Sequence, residues 1–209
     1  LRRRALLLLT FLTLFPPGAQ ALDGYRLYEG TAASVNREVL FLTDVAREQC
    51  LRRCVSMPGS PQENLSLEEA RKQLIADTLA LQEQRKLELG QVDNAVLAAA
   101  VRDAAGWLER CPSRCGGKIT PGELSQWVER KLLIRDFLRR RVAVFVEIKD
   151  EEVRREYRRR AAASDNTPGL TEEKVREEIL RKKVDDEVRN WYSRAASKSR
   201  IILSPLEER

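Results

Sequence analysis

Histidine is absent from this chain of 209 residues, and with it go imidazole-based triads, proton shuttles and imidazole metal ligands. No C-x-x-C pair occurs, so thioredoxin-type redox chemistry has no motif to rest on. A glycine-rich phosphate loop, a nucleophile elbow and any metal-ligand cluster beyond the cysteines are also missing. Aromatic residues make up only 6%, with 10 Gly and 8 Pro, against 33% charged residues. That balance favours helices over an all-β chain. The net charge is +6, but Arg2, Arg3 and Arg4 carry half of it. Without them about +3 remains, too little to argue for a nucleic-acid partner. The inventory leads us to expect no enzyme, no cofactor and no metal.

The arginines at positions 2–4 precede an apolar run over residues 5–15, then Pro16-Pro17 and Ala19-Gln20-Ala21. A charged start, a short apolar core and an A-x-A site predict an export signal over residues 1–21, cleaved after Ala21. The run is too short to span a bilayer as a helix and Pro16 ends it, so no stable membrane span is expected. The mature chain, 22–209, reads as a soluble protein of the periplasm and one helical domain.

Helix signals then follow in order. Residues 25–35 are strand-like, residues 35–38 form a turn, and Thr43 is a candidate N-cap for a helix over 44–54. Ser66 with Glu69 is a capping box for a helix running to about Leu89, with Gly90 as its stop. Its inward stripe reads Leu67, Ala70, Leu74, Thr78 and Leu81. Asp93 caps an alanine-rich helix to about Arg110. Thr120-Pro121 with Glu123 opens a long helix within the stretch 119–157, around which the chain is organised. There Leu124, Trp127, Val128, Leu132, Ile134, Leu138 and Val142 share one side. Leu133 and Phe137 lie off that stripe, either as a second core contact or as a peptide-binding surface. Val142, Val144, Val146 and Ile148 suggest an extended β-branched crossing, and Asp150 opens another helix. Residues 161–169 read as a linker. Thr171 caps a last helix, 171–199, with Leu180, Val184, Val188, Trp191 and Ala195 in register; Val175 and Ile179 off it predict a bend or a change of partner. The short apolar segment 200–203 needs a partner strand, and residues 25–35 are the best available.

Cys50 with Cys54 and Cys111 with Cys115 form two C-x-x-x-C pairs. In an exported chain an even count points to disulfides. Two cysteines four apart on a helix project in parallel, which suits bonds to the second pair better than a bond within the helix. Both crosswise connectivities remain open, and a four-thiolate zinc site is the competing reading. The acidic pairs at 68–69, 151–152, 172–173 and 185–186, and the arginine runs 139–141 and 158–160, read as solvated helix surface.

Taken together, Val35-Asn36-Arg37-Glu38-Val39 before Leu42-Thr43-Asp44-Val45, the Leu89-Gly90-Gln91-Val92-Asp93 step, and the long helix leading through Val146-Glu147-Ile148-Lys149-Asp150 to Tyr157 resemble the N-terminal peptide-binding domain of the SurA family of periplasmic chaperones and prolyl isomerases. The resemblance implies a mainly α domain, like the trigger-factor C-terminal domain, with a small β element pairing its first and last strands. It also implies a function: binding unfolded or outer-membrane polypeptides during outer-membrane protein assembly. In that family parvulin modules follow the helix corresponding to Asp150–Tyr157. Here residues 161–169 leave no room for one, and the histidine-bearing parvulin site has no counterpart. The cysteine pairs are an addition to the family pattern. The expected function is therefore a chaperone without catalysis; a reduced prolyl isomerase and a disulfide-stapled adaptor for one envelope partner are the alternatives. Thiol titration in denaturant separates the cysteine readings: disulfides give no reactive thiol without reductant, whereas a zinc site releases four on chelation.

Overall fold

The structure, a computed structural model, describes residues 30–57, 60–112, 119–163 and 169–206. The expected signal, its cleavage site at Ala21 and Cys115 lie outside the described residues. Those described form β1 (Thr31–Val35), β2 (Glu38–Phe41), α1 (Leu42–Cys54), α2 (Leu67–Lys86), α3 (Asn94–Glu109), α4 (Pro121–Arg141), α5 (Asp150–Ala163), α6 (Glu172–Ser197) and β3 (Ile201–Leu203). The fold is mainly helical with one small antiparallel sheet, in the order β2-β1-β3.

The sheet joins the two ends of the described chain. β1 pairs with β2 from Val35–Glu38 outward, and with β3 through Ser34–Ile202, so the pairing expected for residues 200–203 is formed. The turn depends on Asn36, whose φ of 59° lies in the left-handed region that asparagine tolerates. Its side chain accepts from the Arg200 N–H at 3.0 Å and donates to Gln82 Oε1 at 2.6 Å. Arg71 of α2, itself buried, donates to the Ser204 carbonyl at 2.6 Å and weakly to that of Ala32. One helix thus holds the first and last strands together.

The capping boxes form as the residues dictate. Ser66 Oγ accepts from the Glu69 N–H while Glu69 accepts from that of Ser66, and Thr120 with Glu123 repeats the arrangement with Pro121 at the first helical position. These backbone donors hold both glutamates below the usual carboxylate range. Asp93 caps α3 through the N–H groups of Ala95 and Val96, and Thr171 caps α6 through that of Lys174.

Several boundaries differ from expectation. α1 starts two residues earlier than a Thr43 cap would allow, because Asp44 accepts from the Phe41 N–H at 3.0 Å and makes Phe41 the cap residue. α2 ends at Lys86, and the turn after it is Leu87-Glu88, with Glu88 rather than the expected Gly90 taking the left-handed position at φ 48°; Gly90, at φ 88°, lies two residues further on. The extended crossing after α4 is instead a 3-10 turn at Ala143–Phe145 followed by non-strand backbone. Among the described residues no strand pairs with it, so β-branching alone does not make a strand there. α5 runs on to Ala163, into the expected linker. In α6, Leu180 faces solvent and Val175 is fully buried. The helix changes partner along its length: its first half lies on α5, while Trp191 near its end meets Phe137 of α4 edge-on at 5.0 Å.

Apolar packing falls into three clusters. Leu51, Trp127, Val128 and Leu132 belong to one with α3; Val35, Val45, Ala70 and Leu74 belong to a second under the sheet; Ile134 and Phe137 form a third with Ala80 and the aromatic end of α6. Phe137 is 1% exposed. Of the two roles left open for it, second core contact or peptide-binding surface, the structure gives the core contact, because Trp191 covers the side of α4 on which it lies.

Between α1, α2 and α4 sits a buried charge cluster. Lys131 Nζ donates to Glu48 Oε1 at 2.6 Å and to Asp77 Oδ2 at 2.5 Å. Trp127 Nε1 donates to the other Glu48 oxygen at 2.7 Å, and Gln73 to the other Asp77 oxygen at 2.8 Å. Both carboxylates are therefore paired at each oxygen, which is the condition for keeping them out of water. Burial pushes the nearby Tyr192 hydroxyl well above the usual phenol range, and the Asp77 charge adds to it.

The α5–α6 hairpin is joined differently, by exposed ion pairs. Arg160 bridges Glu156 and Glu178, Asp150 meets Arg176, and Lys183 meets Glu152 at 2.6 Å. Hydrogen bonds from Arg159 and Arg160 hold Glu156 down at about 2, against an ordinary glutamate value of 4.5; Asp150 and Glu178 are lowered by Arg176 and Arg160.

Two outcomes are expected. Lys131→Met strands two buried carboxylates and lowers stability by about 3–5 kcal/mol in urea unfolding, whereas the Glu48→Gln, Asp77→Asn, Lys131→Met triple change recovers most of that loss. For the hairpin, carboxylates depressed in the folded state stabilise it above their ordinary pKa, and the contribution disappears as pH falls through the folded values. NMR amide signals of α5 and α6 should therefore weaken between about pH 4.5 and 2, earlier at high salt, while α1 and α2 persist.

Candidate functional site

Among the described helices α3 is the most apolar, and it is among the least covered. Of its residues only Ala104 is buried. Leu97, Val101, Ala104 and Leu108, at helical spacing, lean on the first cluster against α1 and α4. Its other apolar side chains have no such support: Val96 is 50% and Trp107 38% exposed.

They border a groove of about 760 Å³, whose volume is within the range of ligand sites. Val96, Ala99, Ala100 and Trp107 form one wall, Leu132 the base on α4, and Ser56-Met57 one end. The rim is charged: Arg102, Asp103 and Arg110 from α3, and Arg135 from α4. Arg110 folds back so that its guanidinium lies 5.2 Å from the Trp107 ring centre, a cation–π arrangement. Gly106 sits beneath it, where a Cβ would stand 3.4 Å from the Arg110 Nη1.

The groove is built on a cross-linked frame. Cys54 at the end of α1 is bonded to Cys111 just after α3. Cys50 is also disulfide-bonded, so the thiols that a four-cysteine zinc site requires are consumed. Arg52 fixes the following loop by donating to Ser60 and Glu63, and Gln62 donates to the Cys54 carbonyl at 2.8 Å. Met57 and Ser60 then exchange backbone hydrogen bonds, which sets the end of the groove.

The sequence-expected peptide-binding residues lie elsewhere. Phe137 is core, and Leu133 borders a separate hollow of about 370 Å³ beside Gln84, Glu88 and Gly90. Neither touches the α3–α4 groove; Leu132 does. The signal for the groove was present in the alanine-rich stretch 95–101 and Trp107, which carry more apolar surface than one buried stripe uses.

The Glu48–Lys131–Asp77 cluster holds the residue types of acid–base chemistry, but the hollow beside Glu48 has about 30 Å³, the share of one water molecule. Its chemistry is therefore structural. The acidic pairs and arginine runs behave as surface: Glu68 meets Arg71, Asp186 meets Arg189, and Asp136 meets Arg139 and Arg140. Among the described residues no group of carboxylates and cysteines could hold a metal ion, and no helix is long and apolar enough to cross a membrane.

No protein-family model matches the chain, and no curated protein matches it.

Replacing all four cysteines by serine opens the loop that the Cys54–Cys111 bond closes, with a sequence separation of 57. Chain-entropy reasoning gives a loss of about 4 kcal/mol, read as a lower urea midpoint. Trp107 fluorescence should respond at lower urea than the α5–α6 amides.

Proposed function

We propose that this chain is a non-catalytic peptide-binding chaperone domain that holds unfolded segments of exported proteins, outer-membrane polypeptides among them, in the periplasm. The observation that carries the reading is the open apolar groove between α3 and α4, with a cationic rim and a cross-linked frame. A helix that leaves half-exposed valine and tryptophan beside a concave surface gives an unfolded chain somewhere to bury apolar side chains. The rigid frame means that little ordering accompanies binding. Disulfides accord with an oxidising compartment, and the resemblance of the helix order to SurA N-terminal domains points the same way.

A second reading has its own observation. Val144 and Phe145 stand 65% and 77% exposed on the 3-10 turn after α4. A convex apolar knob suits insertion into one folded partner, as an adaptor would use it.

Light scattering of an unfolded β-barrel protein diluted from urea distinguishes these readings. The chain should suppress aggregation near equimolar ratio, and Val96→Asp with Trp107→Ala should abolish suppression without changing the melting temperature. Phe145→Ser should leave suppression intact. No suppression by the unaltered chain at several-fold excess sinks the chaperone reading.

A further inference from the structure

We infer that the α3–α4 groove selects segments in which large apolar side chains are flanked by aspartate or glutamate. This rests on the groove being the binding surface and adds which polypeptides it prefers.

The reason is the charge left on the rim. Three guanidiniums, Arg102, Arg110 and Arg135, face one carboxylate, Asp103. Among the described residues none of these four takes part in an ion pair. Elsewhere on α4, which carries Arg135, the pattern differs: Arg139 and Arg140 both meet Asp136, and Lys131 is fully engaged. The rim arginines stand on both walls, two on α3 and one on α4, so a chain lying along the base passes between them.

Covering the groove removes water from these groups. Guanidiniums that lose water without gaining an acceptor oppose binding, whereas a carboxylate on the incoming segment can meet one through two parallel N–H donors. A lysine or arginine in the same place meets like charge and is rejected. Arg110 has a further part: lying on Trp107, it closes one end of the apolar wall, and a carboxylate drawing it outward would free the Trp107 face for an apolar side chain. Apolar contact thus supplies the affinity and the rim sets the sequence pattern.

Calorimetry with three unlabelled peptides of equal length tests this. All share one Phe/Leu core, flanked by Glu, by Gln or by Lys. The Glu-flanked peptide should bind roughly tenfold tighter than the Gln-flanked one, and the Lys-flanked peptide weakest. The spread should collapse at high salt, where rim charges are screened. Arg102→Glu with Arg135→Glu should invert the order while leaving the melting temperature unchanged. Equal affinity for all three peptides, lost in the Val96→Asp, Trp107→Ala variant, would overturn the charge selection and leave the groove standing. Binding of none of them would remove the groove reading and this inference together.

Discussion

One ammonium group, on Lys131, holds the helical part of the fold in register. It reaches a carboxylate on α1 and another on α2, and both are buried with it. Apolar side chains can slide or rotate against one another at modest cost, but a buried charge triad has one low-energy arrangement. It therefore fixes the rotation of α4 about its own axis. Leu132 follows Lys131 directly and Arg135 lies one turn on, so the same constraint presents Leu132 as the base of the groove and Arg135 as its rim. Phe137 and Ile134 are turned the opposite way, into the cluster closed by Trp191. The site depends on a lock that contacts none of its apolar wall.

The groove combines a rigid frame with an unfinished interior. Hydrophobic burial accounts for one face of α3, and the disulfide to α1 keeps the end of the helix in place. The other face remains partly uncovered. Such a surface invites association with any apolar chain. The arginines around it keep the open surface hydrated, and the same charges discriminate among the segments that cover it.

Much of the local structure could be read from the residues. Ser66-x-x-Glu69 and Thr120-Pro121-x-Glu123 fix helix starts by satisfying backbone donors within a few residues, so no distant contact can overrule them. The pairing of residues 201–203 with β1 was legible because so short an apolar strand has few other partners. Tertiary context governed the rest. Glu48, Asp77 and Lys131 fall at core positions, with Val45 and Leu51, Leu74 and Thr78, and Val128 and Leu132 around them. Read singly, a charge suggests surface; only the meeting of three helices shows that each has a partner. Phe137 off the main stripe was ambiguous because Trp191, which covers it, is fifty-odd residues away. The groove lay hidden in an alanine-rich helix that looks like ordinary core, and Val142 to Ile148 looked like a strand for want of any sign that no neighbour would pair with it.

Asn36 and Arg200, 164 positions apart, are joined by hydrogen bonds in both directions, and this has a kinetic consequence. The β1–β2 hairpin, α1 and α2 are close in sequence and can assemble among themselves in microseconds to milliseconds. β3 must cross a far longer loop, so its contacts form late. Until then the outer edge of β1 presents unpaired backbone donors and acceptors, flanked by Ala32, Ala33 and Val35, which are fully buried in the finished fold. An open edge of this kind accepts any extended chain that reaches it first. Before residues 201–203 arrive, the molecule is itself a nascent sheet exposed to the misassembly that we propose it prevents in others.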